Sequence, residues 1–292
     1  MRQWRVKDRQ PRIDACVLNA DYDDNCLDLF RRFKLVKEIA EDVGGFGVIY
    51  EVFNVEQEHR RAVKAVQYVP FETENEVYII CALQDAKAPY FIGYYSSWVC
   101  DDAPSDWLES TDRRSFTDKI AYIEMDRADG SLFDLLFQVR PQFTSDDFRS
   151  IIFEILFGLQ FARTRVGLTH NDLKFDNILY TMDGKRELEL STGEKVRPSS
   201  VYKPLIIDFG RSKLAQITTD AGESQDFKVS TSDGYILDQQ AVRAMMRQLE
   251  QTYSNELGDG YRDVMDALQV RDVLDLEPIM MMEWFQPLFV SE

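Results

Sequence analysis

The sequence predicts an α+β protein in two parts, an antiparallel sheet with one helix followed by a mainly helical region. Three observations lead there. Between Phe33 and Val69 three β-rich runs are separated by turn-forming residues. Between Ser145 and Arg163 apolar residues recur with the helical period. A short polar link with a glycine, Arg127 to Gly130, lies between the strand-rich and helix-rich stretches. The expected organisation is an extension over residues 1–33, a first lobe over 34–127 and a second over 128–292.

At 292 residues the chain is about two domain lengths of roughly 150 residues, enough to bury a sizeable core. Its 51 acidic residues outnumber 34 basic ones, a formal charge of −17 that repels nucleic acid and anionic bilayers alike. No uninterrupted apolar run approaches the roughly 18 residues that span a bilayer, so membrane insertion is not expected. The start, Met1 to Gln10, is charged and lacks the apolar stretch of a secretory signal. The four cysteines form no C-x-x-C pair, and Cys81 sits in an apolar run where a thiol packs as a small hydrophobe. These features predict an intracellular, cytoplasmic protein with reduced thiols. Two histidines, His59 and His170, leave little material for a multi-histidine metal centre.

The first lobe opens with strands at Leu35–Ile39, Val48–Phe53 and Ala62–Val66. Glu74 to Leu83 carries Val77, Ile80, Cys81 and Leu83 at mostly helical spacing, and strand character resumes at Tyr90–Val99 and Ile120–Met125. Residues 101–119, rich in Asp, Ser, Thr and Arg, read as a solvated loop. In the second lobe Phe148, Ile151, Ile152, Ile155, Leu156 and Leu159 line one helix face, with Thr144 as the expected N-cap and Asp147 three residues beyond it. Tyr235 to Asp238 is expected to open a helix, and Met280 to Phe285 to pack as core.

Chemistry concentrates in four segments. Asp42 to Tyr50 holds Gly44, Gly45 and Gly47 in a turn between two strands, where backbone N–H groups can approach an anion unobstructed. A glycine-rich hairpin turn is the simpler account of that segment alone. Lys64 lies among apolar strand residues, where an inward ammonium needs an anionic partner that Glu76 can supply; an outward-facing Lys on an edge strand is the alternative. In Thr169–Tyr180, Asp172 and Asn177 can set a carboxylate beside a hydroxyl and an amide oxygen beside a metal ion. Leu205–Gly210 ends an apolar strand in Asp208, and a phosphate-bound magnesium ion needs only one or two carboxylates.

In that order these segments resemble the signature of eukaryotic-type protein kinases from about Leu35 to Gly210: a Gly-rich loop, a strand Lys, a helix Glu, a catalytic loop and D-F-G. The resemblance implies the bilobal kinase fold and transfer of the ATP γ-phosphoryl group to Ser or Thr hydroxyls of a protein substrate. By it, Gly44, Gly45 and Gly47 cover the phosphates, Lys64 holds them and pairs with Glu76, and Met125 backs the adenine pocket. Asp126 to Ala128 would then form the hinge, Asp172 accept the hydroxyl proton, Lys174 neutralise the moving phosphoryl group, and Asn177 with Asp208 bind Mg2+. Lys174 after Asp172 and Leu173 resembles the Ser/Thr pattern more than the tyrosine one.

Three departures from the family pattern stand out. Asp42 occupies the first glycine position of the loop. Asn171 replaces the Arg that in many kinases pairs with a phosphorylated activation segment, which implies activity without that phosphorylation. No A-P-E follows Gly210, and the remaining residues imply an abbreviated second lobe with a polar activation segment at Thr218–Ser232. Two other readings stay open, a catalytically weak pseudokinase and a phosphotransferase similar to choline or aminoglycoside kinases. A compact, divergent kinase of this kind is similar to those encoded by large DNA viruses, which would place it in a host cytoplasm.

Overall fold

A computed structural model describes residues 31–41, 47–100, 119–183, 186–214, 232–269 and 275–290. The expected loop over 101–119 and the polar segment Thr218–Ser232 fall almost wholly outside these residues. The described chain divides into two compact units, one holding the described residues up to Asp85 together with Ile92–Arg127, the other Ala86–Phe91 together with the described residues from Ala128 onward.

The first unit contains β1 (Phe33–Glu41), β2 (Gly47–Asn54), β3 (His59–Gln67), helix α1 (Glu72–Asp85), β4 (Tyr94–Cys100) and β5 (Ile120–Met125). Its five strands pair antiparallel in the order β1-β2-β3-β5-β4. Strand alternation splits β3 between two environments. Val63 and Ala65 join Tyr50, Val52, Trp98 and Tyr122 in one apolar cluster, closed by an edge-to-face contact between Phe33 and Trp98 at 6.0 Å. Ala62, Lys64 and Val66 take the opposite face. β3 is an interior strand rather than an edge, and Lys64 on it is 9% exposed.

Both cysteines described here depart from expectation. Cys81 on α1 and Cys100 at the end of β4 are buried and disulfide-bonded, not reduced thiols. Pairing depends on Cβ separation in space, which sequence spacing does not reveal.

The second unit is built around α2 (Ser145–Val166), which starts at a reciprocal capping box. The Thr144 hydroxyl accepts the Asp147 N–H at 3.3 Å while the Asp147 carboxylate accepts the Thr144 N–H at 2.8 Å. A cap of this kind is worth about 1 kcal/mol. The helix stops at Gly167, whose φ of 65° suits the left-handed turn. Phe148, Ile151, Ile152, Ile155, Leu156 and Leu159 are all buried, as their spacing requires, each contributing about 1.5–3 kcal/mol for a full-sized apolar side chain.

Short strands β6 (Gly130–Ser131), β7 (Ile178–Met182) and β10 (Tyr202–Ile206) form a three-stranded sheet, and β8 (Leu188–Glu189) pairs with β9 (Lys195–Val196). Helix α3 (Ser232–Tyr253) begins slightly before the expected position and ends with Tyr253 against Phe148 at 4.9 Å. Met280, Trp284 and Phe285 are buried, and the Phe285 ring meets Phe153 of α2 at 5.5 Å, so the apolar stretch is core.

Candidate active site

In the first unit the residues singled out by sequence are Gly47, Lys64, Glu76, Met125 and Asp126. Gly44, Gly45 and Asp42 lie outside the described residues. Gly47 opens β2 opposite Val66, on the same face of the sheet as Lys64. Lys64 Nζ lies 2.9 Å from Glu76 Oε1, and both side chains are about nine-tenths buried. Glu76 sits one turn into α1, and its buried neighbours Val77 and Ile80 fix the helix face that carries it. Register puts Met125 opposite Ala62 and Ile123 opposite Lys64, so Met125 shares the Lys64 face and is buried there. The Asp126 N–H donates to Gly93 O at 3.0 Å, while its carboxylate accepts Gly93 N–H at 3.2 Å and the Tyr95 hydroxyl at 2.6 Å. Burial, together with that carboxylate, pushes the Tyr95 hydroxyl up to about 12.

The second unit holds Ala128, Asp172, Lys174, Asn177 and Asp208. Ala128 is partly buried and precedes Asp129, whose N–H donates to Tyr180 O at 2.8 Å. A single helical turn, Phe175–Asn177, folds Asn177 back so that its Nδ2 donates to Asp172 O at 2.8 Å and to Asp172 Oδ2 at 3.2 Å. Lys174 Nζ stands 3.6 Å from the same carboxylate oxygen, and Arg211 lies 3.5 Å from Oδ1. Two cations and an amide therefore orient the Asp172 carboxylate at a position still open to solvent.

Asp208 follows β10, and the Ile207 N–H donates to Asn177 O at 3.0 Å, which brings the two motifs side by side. Asp208 adopts a φ of 67° and Asn171 one of 62°. Non-glycine residues in that region cost of order 1–3 kcal/mol each and persist only where surrounding bonds impose them.

Those bonds come from residues that sequence reading left without a role. His170 is fully buried, its Nε2 bonds Ile207 O at 2.9 Å, and its ring packs on Phe209 at 5.6 Å. A carbonyl oxygen only accepts, so Nε2 carries the hydrogen and Nδ1 is free to accept the Asp172 N–H at 3.4 Å. Asp238, on α3, accepts the N–H groups of His170 and Asn171, each at 2.8 Å. Burial raises the Asp238 carboxyl above the ordinary range, against the opposing pull of those two N–H donors and of Arg163. The only sequence signal for Asp238 was an acid inside an otherwise apolar helical opening.

A divalent cation fits the donor set. Asn177 commits its Nδ2 to Asp172, leaving Oδ1 as an acceptor, and the Asp208 carboxylate has no hydrogen bond or ion pair among the described residues. One carboxylate and one amide oxygen suit Mg2+, which keeps several waters and takes few protein ligands.

Residues 37–234, about two thirds of the chain, match the family model described as protein kinase domain. The chain is also 38% identical over 69 residues, 23% of its length, to a protein named probable kinase 098L from Invertebrate iridescent virus 3. The match covers 13% of that protein.

Proposed function

This chain belongs to the protein kinase family, and we propose that it is an active enzyme transferring the γ-phosphoryl group of ATP to Ser or Thr hydroxyls of protein substrates. The observation that carries the reading is Asp172, an accessible carboxylate fixed by Asn177 and flanked by Lys174 at the start of a loop anchored on α3. In this reading Asp172 takes the proton of the acceptor hydroxyl as its oxygen attacks phosphorus. Lys174 leaves Asp172 to neutralise charge on the phosphoryl group in flight. Lys64, held by Glu76, engages the nucleotide phosphates. Asn177 and Asp208 would hold Mg2+, which supplies charge neutralisation on the phosphate oxygens. Met125, Asp126 and Ala128 would contact the base, and Gly44, Gly45 and Gly47 the phosphates.

The test is transfer of label from ATP in the presence of Mg2+ to panels of protein and small-molecule acceptors, with Asp172→Asn in parallel. General-base catalysis contributes roughly 10² to 10⁴ in rate, so the variant should lose nearly all transfer while binding nucleotide as before. Labelling of small molecules alone would favour a phosphotransferase of the choline-kinase type. Nucleotide binding without transfer would favour a pseudokinase, and equal labelling by both proteins would mean a contaminating enzyme.

A further inference from the structure

We propose that Asn171 is a positioning residue whose uncharged amide latches the catalytic loop to the chain at Arg211 and seats both against the start of α3. The proposal rests on the kinase reading of this site. Asn171 Nδ2 donates to Thr169 Oγ1 and to Arg211 O, both at 3.1 Å, with a longer contact of 3.4 Å to Thr169 O. Its own N–H is the one held by Asp238 Oδ1. On the α3 side the fit is closed: a Cβ added at Gly234 would meet Asn171 Oδ1 at 2.8 Å and Thr169 Cβ at 2.9 Å. The chain that leaves the site at Arg211 and the helix that returns at Gly234 therefore meet one side chain.

Asn171 also ends a short antiparallel seam. Thr169 and Lys213 exchange N–H···O bonds at 2.9 Å in both directions, and the Ser212 hydroxyl donates to His170 O at 3.0 Å. Asp172 comes next in sequence, so the latch sets the direction in which its carboxylate leaves the seam. Asn suits the position because its short amide tolerates a left-handed φ and still reaches two acceptors. An amide has no charge to lose between pH 5 and 9 and needs no phosphate to act.

The experiment compares the full chain with Asn171→Gly, which keeps the backbone conformation and removes the amide, and Asn171→Asp, which keeps shape but cannot donate. Steady-state kinetics with ATP and a protein acceptor are read beside hydrogen exchange at the Thr169 and Lys213 amides. Both variants should lose about tenfold or more in kcat, the factor worth one good hydrogen bond, with KM for ATP within about twofold of the parent. Exchange at the two amides should rise by a similar factor while that of α2 stays unchanged. Parental kcat and parental exchange would overturn the proposal, as would a general rise in exchange with kcat and KM failing together, which marks loss of fold. If the parent chain transfers no phosphate the kinase reading fails, and exchange at Thr169 and Lys213 alone decides the latch.

Discussion

Glu154 offers a test in which two large effects oppose each other. It lies fully buried on α2, and Arg186 grips it as a fork, Nε to Oε1 at 2.5 Å and Nη2 to Oε2 at 3.0 Å, while Tyr90 lies within hydrogen-bonding range. The fork favours the carboxylate, yet burial outweighs it and raises the group from 4.5 to about 7. The native state then holds a proton that the unfolded chain has released across that interval, so stability falls as pH rises from 4.5 towards 7. The interval from 4.5 to about 7, at 1.36 kcal/mol per pH unit, is worth about 3 kcal/mol, with a slope never steeper than about 1.4 kcal/mol per pH unit. Glu154→Gln removes the titration and mimics the protonated form. Other groups, Asp238 and Glu51 among them, contribute slopes of their own, so the quantity to follow is the difference in urea-unfolding free energy between parent and variant. That difference should move by about 3 kcal/mol against the parent between pH 4.5 and 8. A flat difference, or a parent that gains on the variant with rising pH, would mean the Arg186 fork dominates and would refute the reasoning.

Two further outcomes are expected. Glu76→Gln replaces a buried charge-assisted contact of 2.9 Å by a neutral one and should weaken ATP binding by about tenfold to a hundredfold in a nucleotide titration; unchanged affinity would show that Lys64 is held by other groups. Alkylation of the denatured chain followed by peptide mass mapping should leave Cys81 and Cys100 unmodified without reductant and modified with it; labelling of either before reduction would contradict the disulfides.

What could be read in advance was whatever local pattern determines. The 3.6-residue spacing from Phe148 to Leu159 predicted α2, and the Thr144–Asp147 pair predicted its start, because a helix and its cap are specified within a few residues. Strand alternation identified β1, β2, β3 and β5 for the same reason, and Lys64 among apolar neighbours made Glu76 the expected partner for an inward-pointing ammonium, the orientation the fold adopts. Features that join distant parts of the chain stayed hidden. The disulfides at Cys81 and Cys100 were missed, as was the Arg186–Glu154 fork, which spans 32 positions. Tyr90 was assigned to a strand that begins only at Tyr94; its φ of 68° is a turn conformation that β-propensity does not anticipate.

The deepest case is the segment Thr169–Tyr180, where residue identities carried the family resemblance but not what sustains the geometry. Asn171 and Asp208 both sit in a backbone region that non-glycine residues avoid, and together they carry of order 2–6 kcal/mol of conformational cost. Bonds within Thr169–Tyr180, such as Asn171 Nδ2 to Thr169 Oγ1 at 3.1 Å, offset part of that. Further support comes from outside the motif, through the two N–H groups accepted by Asp238, some 67 positions downstream, and through the Thr169–Lys213 seam. Each such bond is worth about 1 kcal/mol net, and those to the carboxylate about 1.5–3 kcal/mol, which is enough in sum to hold Asn171; beside Asp208 the Ile207 N–H is held by Asn177 O. The Asp172 carboxylate is thus aimed by α3 and by the chain after Gly210, and a substitution such as Asp238→Asn should release the loop although it lies outside that segment.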